Sequence, residues 1–558
     1  MNYIRVTMKK IILFICLLAS SIGLFANTND RHFELSKNLE IFNSLYKSLN
    51  LHYVDTIPLS RMVKAGIDGM LRNIDPYTVY IPAEKDEDFT LMTTGEYAGV
   101  GAIITQRDSA IYINEVYVDM PAYNAGLRAA DKIVSVDKTE IKNHTTQQVS
   151  EMLRGIPGTE VKVGILHPNE TKVKYYNITR KQIYINPITY YNVVADSIGY
   201  INLSSFTDNC STELKKAYLE LKEKGIKSLI IDLRGNPGGL LREAINISNF
   251  FLPKGEVIVS TKGKEEDENT TYKAHNNPID TEIPLVVMID DNSASASEIV
   301  AGAMQDLDRA VIVGSRTYGK GLVQGTFPVA YDGKLKVTTA KYYTPSGRCI
   351  QAINYTQKEG EKSDVIPDSL TTEFKTRAGR IVRDGRGIMP DVEYKYKHEK
   401  DSMALAILCM ELIKKNITFD YATKFKLEHV NISSIEEFTI TDDIYNDFKQ
   451  FVLSKDFKYQ NSSQEGLKKL IEIIKRENFY ESSKDILDSL ETKLQHNIEE
   501  ELDKYRTEVS QILSAEIVKR YYFSKGEAQE ILKTDEELKL CIEILNDPKR
   551  YNEILKGK

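Results

Sequence analysis

The sequence predicts a multidomain chain of mixed α+β and α/β character, an α/β core with helical segments on both sides. Three observations carry this expectation. From Tyr190 to Tyr343, strand-like apolar runs alternate with helix-like amphipathic runs, the pattern of a sheet covered by helices. A glycine-punctuated, strand-rich stretch precedes it over residues 88–181, and charged amphipathic patterns follow it over residues 396–558. With 558 residues there is room for about three or four domains. The chain is 42% apolar and 27% charged with a net charge of -7, a globular composition without the basic surplus of a nucleic-acid binder.

Residues 1–26 read as a signal peptide. Arg5, Lys9 and Lys10 precede an apolar run over 11–25 that is short for a membrane span, and Leu24-Phe25-Ala26 ends it with a serviceable cleavage site. This predicts export to a bacterial periplasm; an uncleaved segment would instead leave the chain on the inner membrane. Beyond it, Cys210, Cys349, Cys409 and Cys541 are isolated and lack metal-ligand spacing, so buried free thiols are expected, with no metal and no cofactor. Residues 27–87 form a helical module: Phe33, Leu35, Leu39, Phe42, Leu45 and Leu49 recur at three-to-four spacing, residues 59–71 repeat the pattern, and Asp75-Pro76 stops it.

Residues 88–181 read as strands at 102–105, 110–118, 131–137 and 160–166, with a short helix at 121–127 and a longer one at 146–153. This order, with the signature PAYNAGLRAADKIVSVD, resembles a PDZ domain. The loop Gly99-Val100-Gly101-Ala102 then has a physical use. Successive backbone N–H groups in a glycine turn make a nest for a carboxylate, and the adjoining strand edge pairs with an extended peptide.

The core spans residues 182–395. Residues 228–233 are almost continuously apolar, as in a strand buried on both faces. The turn Arg234-Gly235-Asn236-Pro237-Gly238-Gly239 follows. Farther on, a strand at 284–289 leads through Asp290-Asp291-Asn292 into Ser293-Ala294-Ser295-Ala296-Ser297 and a helix to about Leu307. A strand at 310–313 then precedes a glycine-flanked loop carrying Lys320. Residues 396–558 are helical; Glu499-Glu500-Glu501 and the lysines around it read as solvated faces, or else as a docking surface for an adaptor or for self-assembly.

The chemistry concentrates between residues 286 and 324. Serine needs a base to take its proton, usually histidine, yet none of the eight histidines lies there. A lysine serves if it is neutral, which requires surroundings that bring its pKa from roughly 10.4 to near 7, a change worth about 4 kcal/mol. The glycine-rich, apolar setting of Lys320 suits this. Ser293, Ser295 and Ser297 are all candidate nucleophiles; Ser295 is best placed if the helix begins at Ala296. The Ala296 N–H is then free for an oxyanion, with Gly238 and Gly239 as further donors. Gln324 faces the same way as Lys320 if that segment is a strand. Glu298 lies nearly one turn from Ser295 and reads as a helix cap. Asp306, about 16 Å along the helix, is too far to touch Ser295 and reads as a support for the returning chain.

The motifs SASASEIVAGAMQD, TYGKGLVQ, DLRGNPGG and KYYTPSGR, in this order-specific combination with the PDZ-like module, resemble the carboxyl-terminal processing proteases, serine endopeptidases of the S41 class. The resemblance implies a crotonase-like or ClpP-like core with an inserted PDZ domain. It implies Ser295 as nucleophile, Lys320 as base, Gln324 as supporting amide, and Ala296 with Gly238-Gly239 at the oxyanion hole. It also implies polypeptide substrates, held by their free C-terminal tails on the PDZ domain. Two other readings compete. Residues 314–321 nearly match a nucleotide-binding P-loop, but Gly321 replaces the hydroxyl residue and a helix would have to follow. A non-catalytic peptide-binding scaffold accounts for the PDZ-like module but not for the serine, lysine and glutamine together.

Overall fold

The computed structural model describes residues 31–355, 364–395, 402–459, 462–494 and 497–557. The predicted signal peptide over 1–26 lies outside the described residues. The chain divides into two compact units, Met1–Tyr80 and Ile81–Lys558. In the first, a helix over 31–52 is followed by the helix Leu59–Arg72, and the Tyr46 hydroxyl donates to Leu59 O at 3.0 Å. The turn at Asp75 closes because its Oδ1 accepts the N–H groups of Tyr77 and Thr78.

The second unit begins with a strand-rich module. Its sheet runs Ala102–Arg107, Ala110–Val116, Lys132–Val136, Glu160–Leu166 and Lys174–Thr179, all antiparallel where they pair, with Thr139–Glu140 added to Lys132–Val136. Alternation decides what is inside: Ile111 and Ile113 point inward, as do Val161, Val163 and Ile165. The helices are Pro121–Asn124 and Thr146–Leu153, the latter opened by a capping box between Thr145 and Gln148. Strand Glu96–Gly99 pairs with Lys181–Tyr184 and joins the two ends of the module. The strand Lys174–Thr179 was not legible in the sequence.

The core is a six-stranded sheet in the order Ile188–Ala195, Ile198–Leu203, Ser228–Asp232, Leu285–Ile289, Val311–Gly314 and Val392–Glu393. Its first pair is antiparallel and the rest are parallel. Helices Cys210–Glu223, Leu241–Phe251 and Ala296–Asp306 cover one face, packing on Ile231, Val287 and Ile312. Residues one step along those strands, Ile230, Val286, Met288, Val311 and Val313, face the other way. They meet Leu538, Cys541, Ile544 and Tyr551 from the helices Glu536–Asn546 and Pro548–Lys556. The end of the C-terminal helical region is thus the second layer of the core, whereas Glu499 and Glu500 are exposed and Glu501 is half-buried. An antiparallel sheet carries Leu322–Pro328, Lys334–Tyr343, Val257–Gly263 and Thr270–Lys273 in that order.

The helices within 402–454 and 498–532 build their own core around Tyr421, Phe448, Leu502, Leu513 and Ile517. The helix Arg506–Leu532 breaks at Phe523, whose φ of 58° is left-handed; its ring meets Tyr123 of the strand-rich module edge-on at 5.5 Å. The four cysteines among the described residues are free thiols; Cys210 and Cys541 are buried, whereas Cys349 and Cys409 are only partly so.

Candidate active site

Strand Leu285–Ile289 ends in a sharp turn into the helix Ala296–Asp306, and Ser295 is the residue before the first helical turn. Its backbone sits at φ 55° and ψ -110°, a conformation that costs an L-residue of order 1–3 kcal/mol and persists only where the surroundings over-determine it. They do so here. The Tyr342 hydroxyl donates to Ser295 O at 3.1 Å, and the Ser295 N–H donates to Glu298 Oε2 at 2.7 Å.

The three serines separate by what they touch. Ser293 is fully buried; its hydroxyl donates to Leu233 O at 2.8 Å and accepts the Asp290 N–H. Ser297 is also fully buried and donates to Asn236 O at 2.9 Å. Both are internal fasteners of the turn. Ser295 alone of the three is partly exposed.

Glu298 is the centre of the arrangement, which its sequence reading as a cap understated. Its carboxylate is fully buried and takes four donors: Ser295 N–H and Lys320 N–H on Oε2, and the Thr317 hydroxyl and Gly319 N–H on Oε1, at 2.6–2.9 Å. One oxygen therefore holds the backbone nitrogens of Ser295 and Lys320 together, no farther apart than its two bonds allow. Burial pushes the Glu298 carboxyl up to about 7, and the four donors pull against that rise.

The loop carrying Lys320 is gripped from its other side too. Gly321 N–H donates to Gln351 Oε1 at 2.8 Å, Ala352 N–H donates to Gly319 O at 2.9 Å, and Thr317 and Ile388 exchange bonds. Gly319, at φ 85°, has no room for a side chain: a Cβ would lie 2.4 Å from that of Ala352. Lys320 is half-buried. The next element is the strand Leu322–Pro328, not a helix, which excludes the P-loop reading. Gln324 lies in that strand just past a register shift between Val323 and Gln324, and its amide donates to Thr338 Oγ1 at 3.3 Å. Lys320 precedes the strand and the shift interrupts its alternation, so the same-face argument for the two side chains does not apply.

Opposite Ser295 stands the glycine turn. Asn236 is fully buried and spans it: its Nδ2 donates to Leu203 O at 2.7 Å, and its Oδ1 accepts the Gly238 N–H at 2.9 Å. Its own carbonyl accepts Ala294 N–H at 3.0 Å, which ties the turn to the serine segment. A Cβ on Gly238 would come within 2.8 Å of that of Ser295 and 2.9 Å of Ala296 N, so the approach requires glycine. The Gly238 N–H is thus already engaged, which corrects its expected place among the oxyanion donors. Gly239 and Ala296 keep backbone N–H groups without an acceptor among the described residues, and Gly239 is exposed.

Asp306 is remote from Ser295 and buried. Its Oδ1 accepts from Arg348 Nη2 at 2.8 Å and its Oδ2 from Ser346 N–H at 3.0 Å, so it anchors the chain returning after Tyr343. Asn236, Tyr342, Thr317 and Gln351 were not nominated from the sequence. Asn236, Thr317 and Tyr342 left a trace there only as members of the quoted motifs, with no role attached, and Gln351 left none.

In the strand-rich module, Gly101 has φ 76° and its carbonyl accepts Tyr117 N–H, while buried Val100 accepts Ala122 N–H at 2.8 Å. Gly99 is the last residue of the strand paired with Lys181–Tyr184. Ala102 opens Ala102–Arg107, an edge strand whose second side has no strand partner in its sheet and lies beside the helix Thr146–Leu153. A glycine loop, an open strand edge and a flanking helix are the parts from which strand-addition grooves are built.

The comparisons agree with this architecture. Residues 197–361 match the model of peptidase family S41, residues 112–166 that of the PDZ domain, and residues 408–545 that of the C-terminal helical domain of probable PDZ-proteases. The chain is 35% identical over 356 residues to a carboxy-terminal-processing protease of Bartonella bacilliformis, covering 62% of this chain and 81% of that one. It is 30% identical over 449 residues to a probable CtpA-like serine protease of Staphylococcus aureus, covering 78% and 85%. The solved photosystem II D1 C-terminal processing protease aligns at 25% identity with a TM-score of 0.33, covering 63% of this chain and 92% of that one. The strained serine turn and the PDZ module are those of a serine-type endopeptidase. The chain belongs to the carboxy-terminal-processing proteases of peptidase family S41.

Proposed function

We propose that Ser295 and Lys320 form the catalytic dyad, with the N–H groups of Ala296 and Gly239 as the oxyanion hole. The observation that carries this is the Glu298 carboxylate oxygen shared by the Ser295 and Lys320 backbones, which fixes nucleophile and base loop to one point. Neutral Lys320 takes the Ser295 hydroxyl proton as Oγ attacks the scissile carbonyl, whose oxygen gains charge between the two N–H donors. The tetrahedral species collapses as the lysine ammonium returns the proton to the departing amine. A water, deprotonated in turn by Lys320, then releases the acyl group. Gln324 supports the lysine side of the site through its bond to Thr338 on the paired strand Lys334–Tyr343, and Asp306 supports the fold behind it.

The substrate is a polypeptide whose free C-terminal carboxylate sits on the Gly99–Ala102 loop, its last residues adding to the edge of Ala102–Arg107. Residues 1–26 send the chain out of the cytoplasm to the periplasm. The helices Ser462–Arg476 and Tyr480–Lys493, with Leu470, Ile473, Ile486 and Leu490 exposed, are the surface for an adaptor or for self-association.

The test is digestion of an unstructured peptide with an apolar C-terminus. Ser295→Ala and Lys320→Ala each lose about 10⁴-fold or more in kcat and still bind the peptide. Cleavage by either variant at the wild-type rate overturns the dyad. Amidation of the peptide C-terminus weakens binding if the carboxylate is what the loop reads.

A further inference from the structure

Arg234 opens the glycine turn, and its guanidinium is not spent inside the turn alone. Nε and Nη2 reach Asp232 at 3.0 and 2.6 Å. Nη2 also donates to Asp535 Oδ2 at 2.7 Å, and Nη1 to Glu537 Oε2 at 2.9 Å. Asp535 and Glu537 lie more than 300 positions away in sequence, at the start of the helix Glu536–Asn546. All these groups are largely buried, with 22% of the Arg234 side chain exposed, 11% of Asp535 and 9% of Glu537, so the bonds are short, multiple and shielded from solvent. Glu537 also abuts the strand that leads to the lysine loop: its Oε1 lies 2.8 Å from where a Cβ on Gly314 would stand.

From Arg234 the connection to the nucleophile is continuous. Gly235 N–H donates to Asp290 Oδ1, and Asn236 O takes the N–H of Ala294 and the hydroxyl of Ser297. Gly238 lies against Ser295, and Gly239 follows it. Resting on the reading of Ser295 and Gly239 given above, we propose that Asp535 and Glu537 are positioning residues for the hydrolytic step. Through Arg234 they set the turn Gly235–Gly239, and with it the Gly239 donor, against Ser295. The C-terminal helical region then contributes to catalysis without touching substrate.

The substitutions Asp535→Asn and Glu537→Gln, in the full chain, isolate this link. Asp535 also caps its helix, its Oδ1 accepting the N–H groups of Glu537 and Leu538; asparagine caps equally well, so Asp535→Asn removes the charge and keeps the helix. Each variant is expected to lower kcat about tenfold with KM within about twofold, because only the transition state uses the displaced donor. Affinity for a peptide aldehyde, whose carbonyl oxygen occupies the oxyanion hole once Ser295 Oγ adds to its carbon, falls by the same factor. Melting temperature stays within a few degrees of wild type, and Arg234→Lys falls between wild type and Arg234→Gln. Wild-type kcat and aldehyde affinity in both carboxyl variants overturn the proposal. So does a loss confined to KM, or an activity loss that in every variant accompanies loss of a cooperative melt. A Ser295→Ala variant that still cleaves would instead sink the reading of the site itself.

Discussion

In the proposed reading two backbone cradles of this molecule each receive an oxygen anion, and they are built in opposite ways. At the nucleophile turn a non-glycine residue holds a left-handed φ of 55°, fixed by Glu298, Tyr342 and Asn236. At the PDZ loop a left-handed φ of 76° falls on Gly101, where it carries no steric penalty, beside an open strand edge. The first site meets charge that exists only in the transition state, so its donors must already be in place. The second meets a carboxylate present before and after binding, so a looser nest with a pairing strand suffices. The difference predicts that damage to the first lowers kcat and damage to the second raises KM.

Outside the proposed dyad itself, the largest effect is expected at Gly239. Its φ is 147°, and a Cβ would lie 2.3 Å from Phe206 O, so Gly239→Ala must displace the donor itself. The expected loss is about 10³-fold in kcat. A variant with normal kcat removes Gly239 from the oxyanion hole.

Glu298→Gln comes next. The amide replaces an acceptor with a donor where N–H or O–H groups already point, so kcat/KM falls about 10²-fold. The pH dependence is specific. The folded pKa, about 7, stands above the ordinary 4.5, so ionisation of Glu298 opposes folding. Stability contributed by the protonated form is complete below the ordinary value and is lost as pH rises to about 7, a change of roughly 3 kcal/mol. Only the carboxylate accepts all four donors, so activity rises over that range as stability declines. In Glu298→Gln the stability slope vanishes and the activity profile keeps only the rise set by deprotonation of the proposed base Lys320; melting and kcat/KM profiles from pH 4 to 9 that both match wild type contradict the assignment.

The smallest effect belongs to the PDZ loop. A Cβ on Gly101 would lie 2.5 Å from that of Met120. Gly101→Ala should raise KM about tenfold for a substrate with a free carboxylate and leave kcat unchanged. A fall in kcat on a substrate with a blocked tail would break the contrast between the two cradles.

The geometry of the candidate site was legible where it is local. Ser295, Ala296 and Lys320 sit in short segments whose small residues and glycines state the turn geometry directly. Glu298 was legible only as a helix cap, because its link to residues 317–320 exists only once Leu285–Ile289 pairs in parallel with Val311–Gly314 and sets both loops at one end of the sheet. Asp306 was read correctly as remote, but its partner Arg348 lies on a strand return that no helix periodicity encodes. The continuous apolar run at 228–233 required cover on both faces. It could not say that the second cover comes from residues 536–556, since an amphipathic pattern marks a buried stripe and not its partner.

That second cover has a consequence for how the enzyme coexists with its own activity. Strand pairing captures only backbone whose N–H and C=O groups are open. The segment Glu536–Lys556 is wound into two helices whose apolar side is sealed against Val286, Met288 and Val313, so its backbone groups are satisfied internally and are not offered for strand pairing. Digestion of this segment would require peeling a layer off the sheet, and the sheet so bared would no longer hold its serine and lysine loops. The packing that covers the sheet thus also withholds this segment from strand pairing.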